Sequence, residues 1–141
     1  TGEKDFPLVF QNLHRYAMYV AIVFPIFLFY GAFKSFWLGG QVGGEFGIGV
    51  GSIILTANAV LLTLYTIGCH SFRHFVAGGL NRFTASPFRM LRRRLWEIFT
   101  IANENHRKWA WISMIFVGLT DLYVHLVAGG VITDLNTWSQ F

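Results

Sequence analysis

Five histidines and one cysteine are the side chains of this 141-residue sequence that are best suited to bind a metal or to carry protons. Imidazole is a common metal ligand, it is the usual axial ligand of b-type haem, and it exchanges protons near neutral pH. His70 and His74 are four residues apart, so a helix places them on one face, although this spacing is also common by chance. Because Cys69 adjoins them, the candidate metal ligands are Cys69, His70 and His74.

Long runs without formal charge predict the elements that position these histidines. Residues 16–33 and 46–72 are uncharged runs of 18 and 27 residues. A helix needs about 20 mainly apolar residues to cross the hydrocarbon core of a bilayer, so both runs predict transmembrane helices. A third run, residues 109–132, is interrupted by Asp121 and His125, and we expect these ionisable side chains to have a function rather than to face lipid.

The composition supports a membrane protein. Charged residues make up 13% of the chain, against about a quarter of a soluble globular domain. A hydrophobic content of 54% excludes a disordered chain, and a single cysteine excludes a disulfide framework. We therefore predict an all-α integral membrane bundle that forms one domain over residues 1–141. Its three spans are predicted at about residues 13–37, 47–73 and 106–132, with a basic loop at residues 74–105.

The basic residues predict the orientation of the chain. With three spans, ten of the eleven lysines and arginines lie on one side of the membrane, and only Lys34 lies on the other. The positive-inside rule makes the basic side cytoplasmic, which places the N-terminus inside and the C-terminus outside. Because the charge follows the membrane topology, we expect no nucleic acid as a partner. Four of the five histidines lie on the basic side: His14, His70, His74 and His106.

The loop between the second and third spans predicts a short amphipathic helix. Residues 88–99 alternate basic and apolar side chains at near-helical spacing. Such a helix lies on the lipid headgroups, and Arg92, Arg93 and Arg94 would then meet phosphates. The alternative is a docking surface for a soluble partner subunit.

Proline interrupts the first predicted span at Pro25. Its ring removes a backbone N–H from the helix, so we expect a kink there. Membrane helices tolerate such a kink where neighbouring groups or water satisfy the freed carbonyl.

The candidate histidines also have interpretations without a ligand. His14 and His106 lie beside arginines and close to aromatic residues, so they suit the membrane interface as ordinary helix-end residues. His70 follows a long uncharged run, which favours the interior of the bundle. Asp121 lies near the middle of the third span, and we expect a carboxylate at that depth to be paired, hydrogen-bonded or part of a proton route.

Several motifs, in their order and spacing, suggest a family. They are Leu13-His14-Arg15-Tyr16, Gly68-Cys69-His70-Ser71-Phe72-Arg73-His74, Asn105-His106-Arg107-Lys108-Trp109-Ala110-Trp111, Leu119-Thr120-Asp121-Leu122-Tyr123 and Val127-Ala128-Gly129-Gly130-Val131-Ile132-Thr133-Asp134-Leu135. Together they resemble the membrane-anchor subunit of bacterial succinate dehydrogenases. The resemblance covers most of the chain from His14 to Leu135.

This resemblance implies a subunit of succinate:quinone oxidoreductase, in the respiratory chain and the tricarboxylic acid cycle, in a bacterial plasma membrane. In that family a flavoprotein oxidises succinate, an iron-sulfur subunit relays the electrons, and the anchor passes them to a membrane quinone, often through haem b. The soluble subunits dock on the cytoplasmic side. The implied cofactor-binding residues are His70, His14, His106 and Arg73. The implied quinone or proton-route residues are Arg107, Trp109 and Asp121.

Two features depart from the family pattern. Many anchors of this kind have five spans, so three spans imply a second membrane-anchor chain. Phe72 stands where similar sequences have a second cysteine, in a Cys-His-Ser-Cys-Arg-His run that could hold a [2Fe-2S] cluster instead of haem. Because a Rieske-type cluster needs two cysteines and two histidines, Cys69 alone implies a cluster shared with another chain. The alternative function is a non-catalytic membrane component, such as an assembly factor or part of a transporter.

Overall fold

A computed structural model describes residues 5–6, 8–78 and 86–138 of the protein. For residues 8 and 11 it describes the backbone alone. Within these ranges the chain forms α-helices and short turns, which confirms the all-α class. The α-helices are α1 Leu8–Ala21, α2 Val23–Lys34, α3 Val50–Ile67, α4 His70–Ala77, α5 Pro87–Glu104 and α6 His106–Ala128. A 3₁₀ turn lies at Leu38–Gly40.

Three helical segments are long and apolar enough to cross a membrane, which confirms the predicted number of spans. They are Asn12–Lys34, Val50–Ile67 and His106–Ala128, with mean hydropathies of 1.9, 1.8 and 1.6. The chain is thus a multi-pass membrane protein, with three spans in the part that the structure describes. Two compact units make up the chain: a first unit of residues 1–23 and 63–110, and a second unit of residues 24–62 and 111–141.

The first span is interrupted at Ile22, between α1 and α2. Pro25 follows three residues later, and its missing N–H would have bonded the carbonyl of Ala21. The position of the interruption therefore agrees with the expected effect of the proline.

The second span is shorter than the sequence predicts, because α3 ends at Ile67 rather than near residue 73. A Cβ atom placed on Gly68 would lie 2.8 Å from the carbonyl oxygen of Leu64 and 2.9 Å from that of Ala102. The Asn103 side chain also donates a hydrogen bond to the Gly68 carbonyl at 2.8 Å. The helix therefore ends where α5 approaches the backbone so closely that only glycine fits.

The predicted amphipathic helix is present as α5, and it is longer than the pattern of residues 88–99 indicates. Ser86 caps its N-terminus by accepting a bond from the backbone N–H of Arg89, and Pro87 occupies the first turn. The helix packs on α4 through an edge-on contact of Phe72 and Phe99, whose ring centroids are 5.0 Å apart.

One arginine of α5 has a different role from the one predicted. Arg92 was expected to meet lipid phosphates, but its side chain is half-buried and donates to the carbonyls of Val76 at 2.5 Å and Gly78 at 3.4 Å. Both acceptors belong to the carboxyl end of α4, where unpaired carbonyls and the helix dipole favour a cation. Arg92 thus joins α4 to α5, while Arg93 pairs with Glu97 at 3.0 Å.

In the second unit, the segment after α6 closes on the turn that precedes α3. Asp134 accepts hydrogen bonds from the Tyr123 hydroxyl at 2.6 Å and from the backbone N–H of Gly51 at 3.0 Å. Gly51 lies in the first turn of α3, so this carboxylate satisfies an N–H that has no partner inside the helix. A carboxylate at a helix N-terminus also complements the helix dipole.

Replacing Asp134 with alanine should lower the free energy of unfolding by about 1–3 kcal/mol, because a part-buried hydroxyl and N–H lose their acceptor. Thermal unfolding in detergent, followed by circular dichroism, measures the loss. The control is Asp121→Ala, which removes a carboxylate that is 77% exposed. Equal melting temperatures for the two variants would contradict the assigned role of Asp134.

Candidate functional site

A cavity of about 190 Å³ lies in the first unit, among residues from α1, α3 and α6. We call it the histidine cavity. It is lined by His14, Ala17, Met18, Ala21, Tyr65, Thr66, Cys69 and His106. The first span begins, the second ends and the third begins near this cavity. Its polar side chains come from these three spans and from Cys69, which precedes α4.

His106 and Tyr65 form one wall of the histidine cavity. Their rings are stacked, with centroids 4.8 Å apart and planes inclined by 10°. Nδ1 of His106 is buried and makes no hydrogen bond of good geometry with the residues that the structure describes, although the imidazole lies close to the backbone of Tyr65. Buried polar atoms are nearly always paired, so this nitrogen is a candidate to bind a ligand.

Cys69 and His14 form a second polar pair in the same cavity. The sulfur of Cys69 is 3.1 Å from Nε2 of His14, and Cys69 is 4% exposed. Cys69 has extended backbone geometry as the cap residue of α4, so it does not share the helical register of the residues after it.

The predicted metal ligands Cys69, His70 and His74 are not brought together. His70 and His74 lie on α4 with ring centroids 4.4 Å apart, and both are exposed. Cys69 is instead paired with His14. Among the described residues there is no group of three histidine, cysteine or acidic side chains with metal-binding geometry.

His70 keeps an exposed edge, but the partial loss of solvent around its ring lowers its pKa from the ordinary value of 6.5, and the neighbouring His74, Arg73 and His14 lower it further. A lowered pKa means that the folded chain binds a proton less readily than the unfolded chain. His70 therefore contributes stability that is present above pH 6.5 and is lost as the pH falls through its folded pKa.

We expect the imidazole signals of His70 to titrate below pH 6.5 in NMR spectra of the protein in nanodiscs. Replacing Arg73 with glutamine should raise the pKa of His70, because one neighbouring cation is removed. A His70→Gln variant identifies the signal. A titration midpoint above 6.5 in the unmodified chain would contradict the assignment.

The other predicted site residues lie outside the lining of the histidine cavity. The Arg73 guanidinium lies 5.3 Å from the centre of the Trp96 ring. Arg107 is exposed, whereas Nε1 of Trp109 is buried and has no partner among the described residues. Asp121, expected to be paired or on a proton route, is 77% exposed and lies 4.0 Å from His125.

Sequence reasoning missed Tyr65 and Thr66. Both lie in the last turn of α3, and neither belongs to a local motif. Tyr65 is 41 positions before His106, so only the folded chain reveals that the two rings stack.

Comparison with known proteins identifies the family. Residues 1–130 match the family described as actinobacterial succinate dehydrogenase subunit SdhC. The chain belongs to this family. The match confirms the family that the motifs suggested, and no curated protein matches the sequence.

A solved structure of the Mycobacterium smegmatis Sdh1 complex in the apo form contains a chain similar to this SdhC-family protein. The two chains are 38% identical, and the TM-score is 0.81. The match covers 99% of the present chain and 50% of the other, so the present chain spans about half the length of its structural relative.

Haem b does not fit the histidine cavity of this SdhC-family chain alone. Pockets for drug-sized ligands measure about 300–1,000 Å³, and a porphyrin is a ligand of that size class. The histidine cavity, at about 190 Å³, is smaller than this range. Nε2 of His14 also lies against the Cys69 sulfur, which blocks it as a ligand of haem iron.

A Rieske-type [2Fe-2S] cluster is also incomplete in this chain. The sequence has one cysteine, whereas such a cluster needs two cysteines and two histidines. Cys69 is close to His14, but Phe72 provides no ligand where the family pattern led us to expect one.

Proposed function

We propose that this chain is a membrane-anchor subunit of succinate dehydrogenase that binds the headgroup of a membrane quinone in the histidine cavity. The observation that carries the proposal is the stacked pair of Tyr65 and His106, with its buried and unpaired Nδ1. Membership of the SdhC family supports the enzyme complex, and the cavity supports the position of the headgroup within the chain.

The lining of the histidine cavity suits a quinone ring. A quinone presents two carbonyl oxygens on a flat apolar ring, so its site needs hydrogen-bond donors and apolar walls. Imidazole and hydroxyl groups come from His14, His106 and Thr66, and apolar contact comes from Ala17 and Met18. His106 would then donate a ring N–H to one quinone oxygen.

The reduction of the quinone adds two electrons and two protons, and the developing negative charge on its oxygens strengthens hydrogen bonds from nearby donors. His106 holds such a donor in a fixed position, because Tyr65 restrains the plane of its ring. The electrons come from the iron-sulfur subunit, which receives them from the flavoprotein that oxidises succinate.

We infer that the soluble subunits dock on the side of the histidine cavity. Ten of the eleven lysines and arginines lie on that side if the chain crosses the membrane three times, and the positive-inside rule makes it cytoplasmic. A quinone site near this surface shortens the path from an iron-sulfur subunit. The C-terminal side then faces outward across a bacterial plasma membrane.

We further infer that more membrane-spanning structure, supplied by a second anchor chain, covers these helices. In an apolar window of 18 residues within each span, 17%, 22% and 11% of the residues are buried, so the described residues cover few side chains of these helices. Asp121 and His125 are exposed on α6 although Asp121 lies inside a span, at the sixteenth of its 23 residues. Ionisable groups at such a depth are rarely left facing lipid, so we expect this pair to face a protein partner.

Affinity purification of the tagged chain from mild detergent tests the proposal. We expect flavin absorbance and iron-sulfur signals in the purified complex, together with reduction of quinone by succinate. A preparation that contains the chain without a flavoprotein or an iron-sulfur protein would contradict the proposal and favour a non-catalytic membrane component.

A further inference from the structure

A second cavity, of about 270 Å³, lies between α1 and α4 in the first unit. We call it the basic cavity. It is lined by Arg15, Tyr19, Ser71, His74, Phe75 and Gly78. None of these residues lines the histidine cavity, so the two cavities are chemically separate.

The polar lining of the basic cavity consists of hydrogen-bond donors. Arg15 supplies a guanidinium group, His74 an imidazole and Ser71 a hydroxyl. No acidic side chain lines the cavity, and Arg15 has no ion pair with any residue that the structure describes. A guanidinium group beside further donors is an arrangement that binds phosphate oxygens through charge-assisted hydrogen bonds.

The apolar lining consists of two aromatic rings. Tyr19 and Phe75 meet edge to face, with centroids 5.8 Å apart, and they are 41% and 61% exposed. Two exposed aromatic side chains beside a cationic group are typical of the interface between headgroups and hydrocarbon. The two rings provide an apolar surface for the glycerol and the first acyl carbons of a lipid. Free phosphate has no such groups, so it would leave this surface without a contact.

The depth of the cavity agrees with such a ligand. Arg15 is the fourth residue of the first span, and α4 begins three residues after the second span ends. Both elements therefore lie near the membrane boundary on one side, where lipid phosphates are located.

We propose that the basic cavity binds the phosphodiester group of a glycerophospholipid. Arg15, Ser71 and His74 donate hydrogen bonds to the phosphate oxygens, while Tyr19 and Phe75 contact the glycerol and the acyl chain. This assignment is independent of quinone binding, since it uses other residues and a charged ligand.

Native mass spectrometry of the purified complex, released from nanodiscs of phosphatidylglycerol, tests the proposal. We expect one retained phosphatidylglycerol per chain. The Arg15→Gln/Ser71→Ala variant should reduce that retained fraction at least fivefold. The matched control is Arg89→Gln, which removes the same charge from an exposed position on α5 and should leave retention unchanged.

A photoactivatable phosphatidylglycerol, with its reactive group on the first carbons of the acyl chain, locates the lipid directly. We expect cross-links on the peptides that contain Tyr19 and Phe75. Equal retention in the double variant and in Arg89→Gln would overturn the proposal, as would cross-links confined to other peptides. Suppression of the cross-link by millimolar inorganic phosphate would assign the site to free phosphate and overturn the lipid.

Discussion

Replacing His106 with leucine should lower the rate of quinone reduction by succinate about 10- to 100-fold. A hydrogen bond to a group that gains charge contributes about 1.5–3 kcal/mol, and about 1.4 kcal/mol corresponds to a tenfold change in rate. Leucine fills a similar volume but provides no donor for the quinone oxygen. The oxidation of succinate by a water-soluble dye should be unchanged, because the dye takes electrons before they reach the membrane.

Two further variants separate the chemistry of His106 from its packing. His106→Gln keeps an N–H group and should recover part of the quinone rate. His125→Leu removes an imidazole at the far end of α6 and should leave the ratio of the quinone rate to the dye rate unchanged. A His106→Leu enzyme that reduces quinone at the full rate would contradict the proposed donor. Equal losses of the quinone and dye rates would instead indicate a role in assembly.

Replacing Gly68 with alanine should lower the free energy of unfolding by about 1–3 kcal/mol, which is the usual cost of inserting a carbon atom into closely packed structure. The new Cβ would lie 2.8 Å from the Leu64 carbonyl oxygen and 2.9 Å from that of Ala102, and neither backbone can move freely. The strain also displaces the Asn103 side chain, which bonds the Gly68 carbonyl at 2.8 Å.

Thermal unfolding of the chain in detergent measures this effect, and we expect the melting temperature to fall by about 3–10 °C. Gly31→Ala is the matched control, because a Cβ at that exposed position in α2 meets nothing within 4 Å. In a helix alanine is more stable than glycine by about 1 kcal/mol, so the control should unfold at the same or a higher temperature. A Gly68→Ala chain as stable as this control would contradict the close approach of α5.

Local patterns in the sequence were sufficient to predict the helices. Runs of apolar residues long enough for a bilayer predicted the three spans, and the alternating arginines and apolar side chains predicted α5. Pro25 predicted an interruption of the first span because the loss of one N–H acts within a single turn. These features depend on neighbouring residues, so periodicity and composition are enough to find them.

Contacts between distant residues were not predictable in the same way. The motif of residues 68–74 gave no indication that the helix stops at Gly68, because the cause is the backbone of Ala102, 34 positions later. The same break separates Cys69 from the histidines that follow it and leaves it beside His14. The local pattern of α5 predicted that Arg92 lies at the lipid surface. Its actual acceptors, the carbonyls of Val76 and Gly78, are 16 and 14 positions away, so the local pattern could not reveal them.

The central claim is that the histidine cavity holds a quinone headgroup, and photoaffinity labelling of the purified complex tests it most directly. An azidoquinone, activated by light and mapped by peptide mass spectrometry, should label the peptides that contain Tyr65 and His106. Excess natural quinone should suppress this label, and His106→Leu should reduce it. Labelling confined to peptides outside the histidine cavity, with no effect of His106→Leu, would contradict the account.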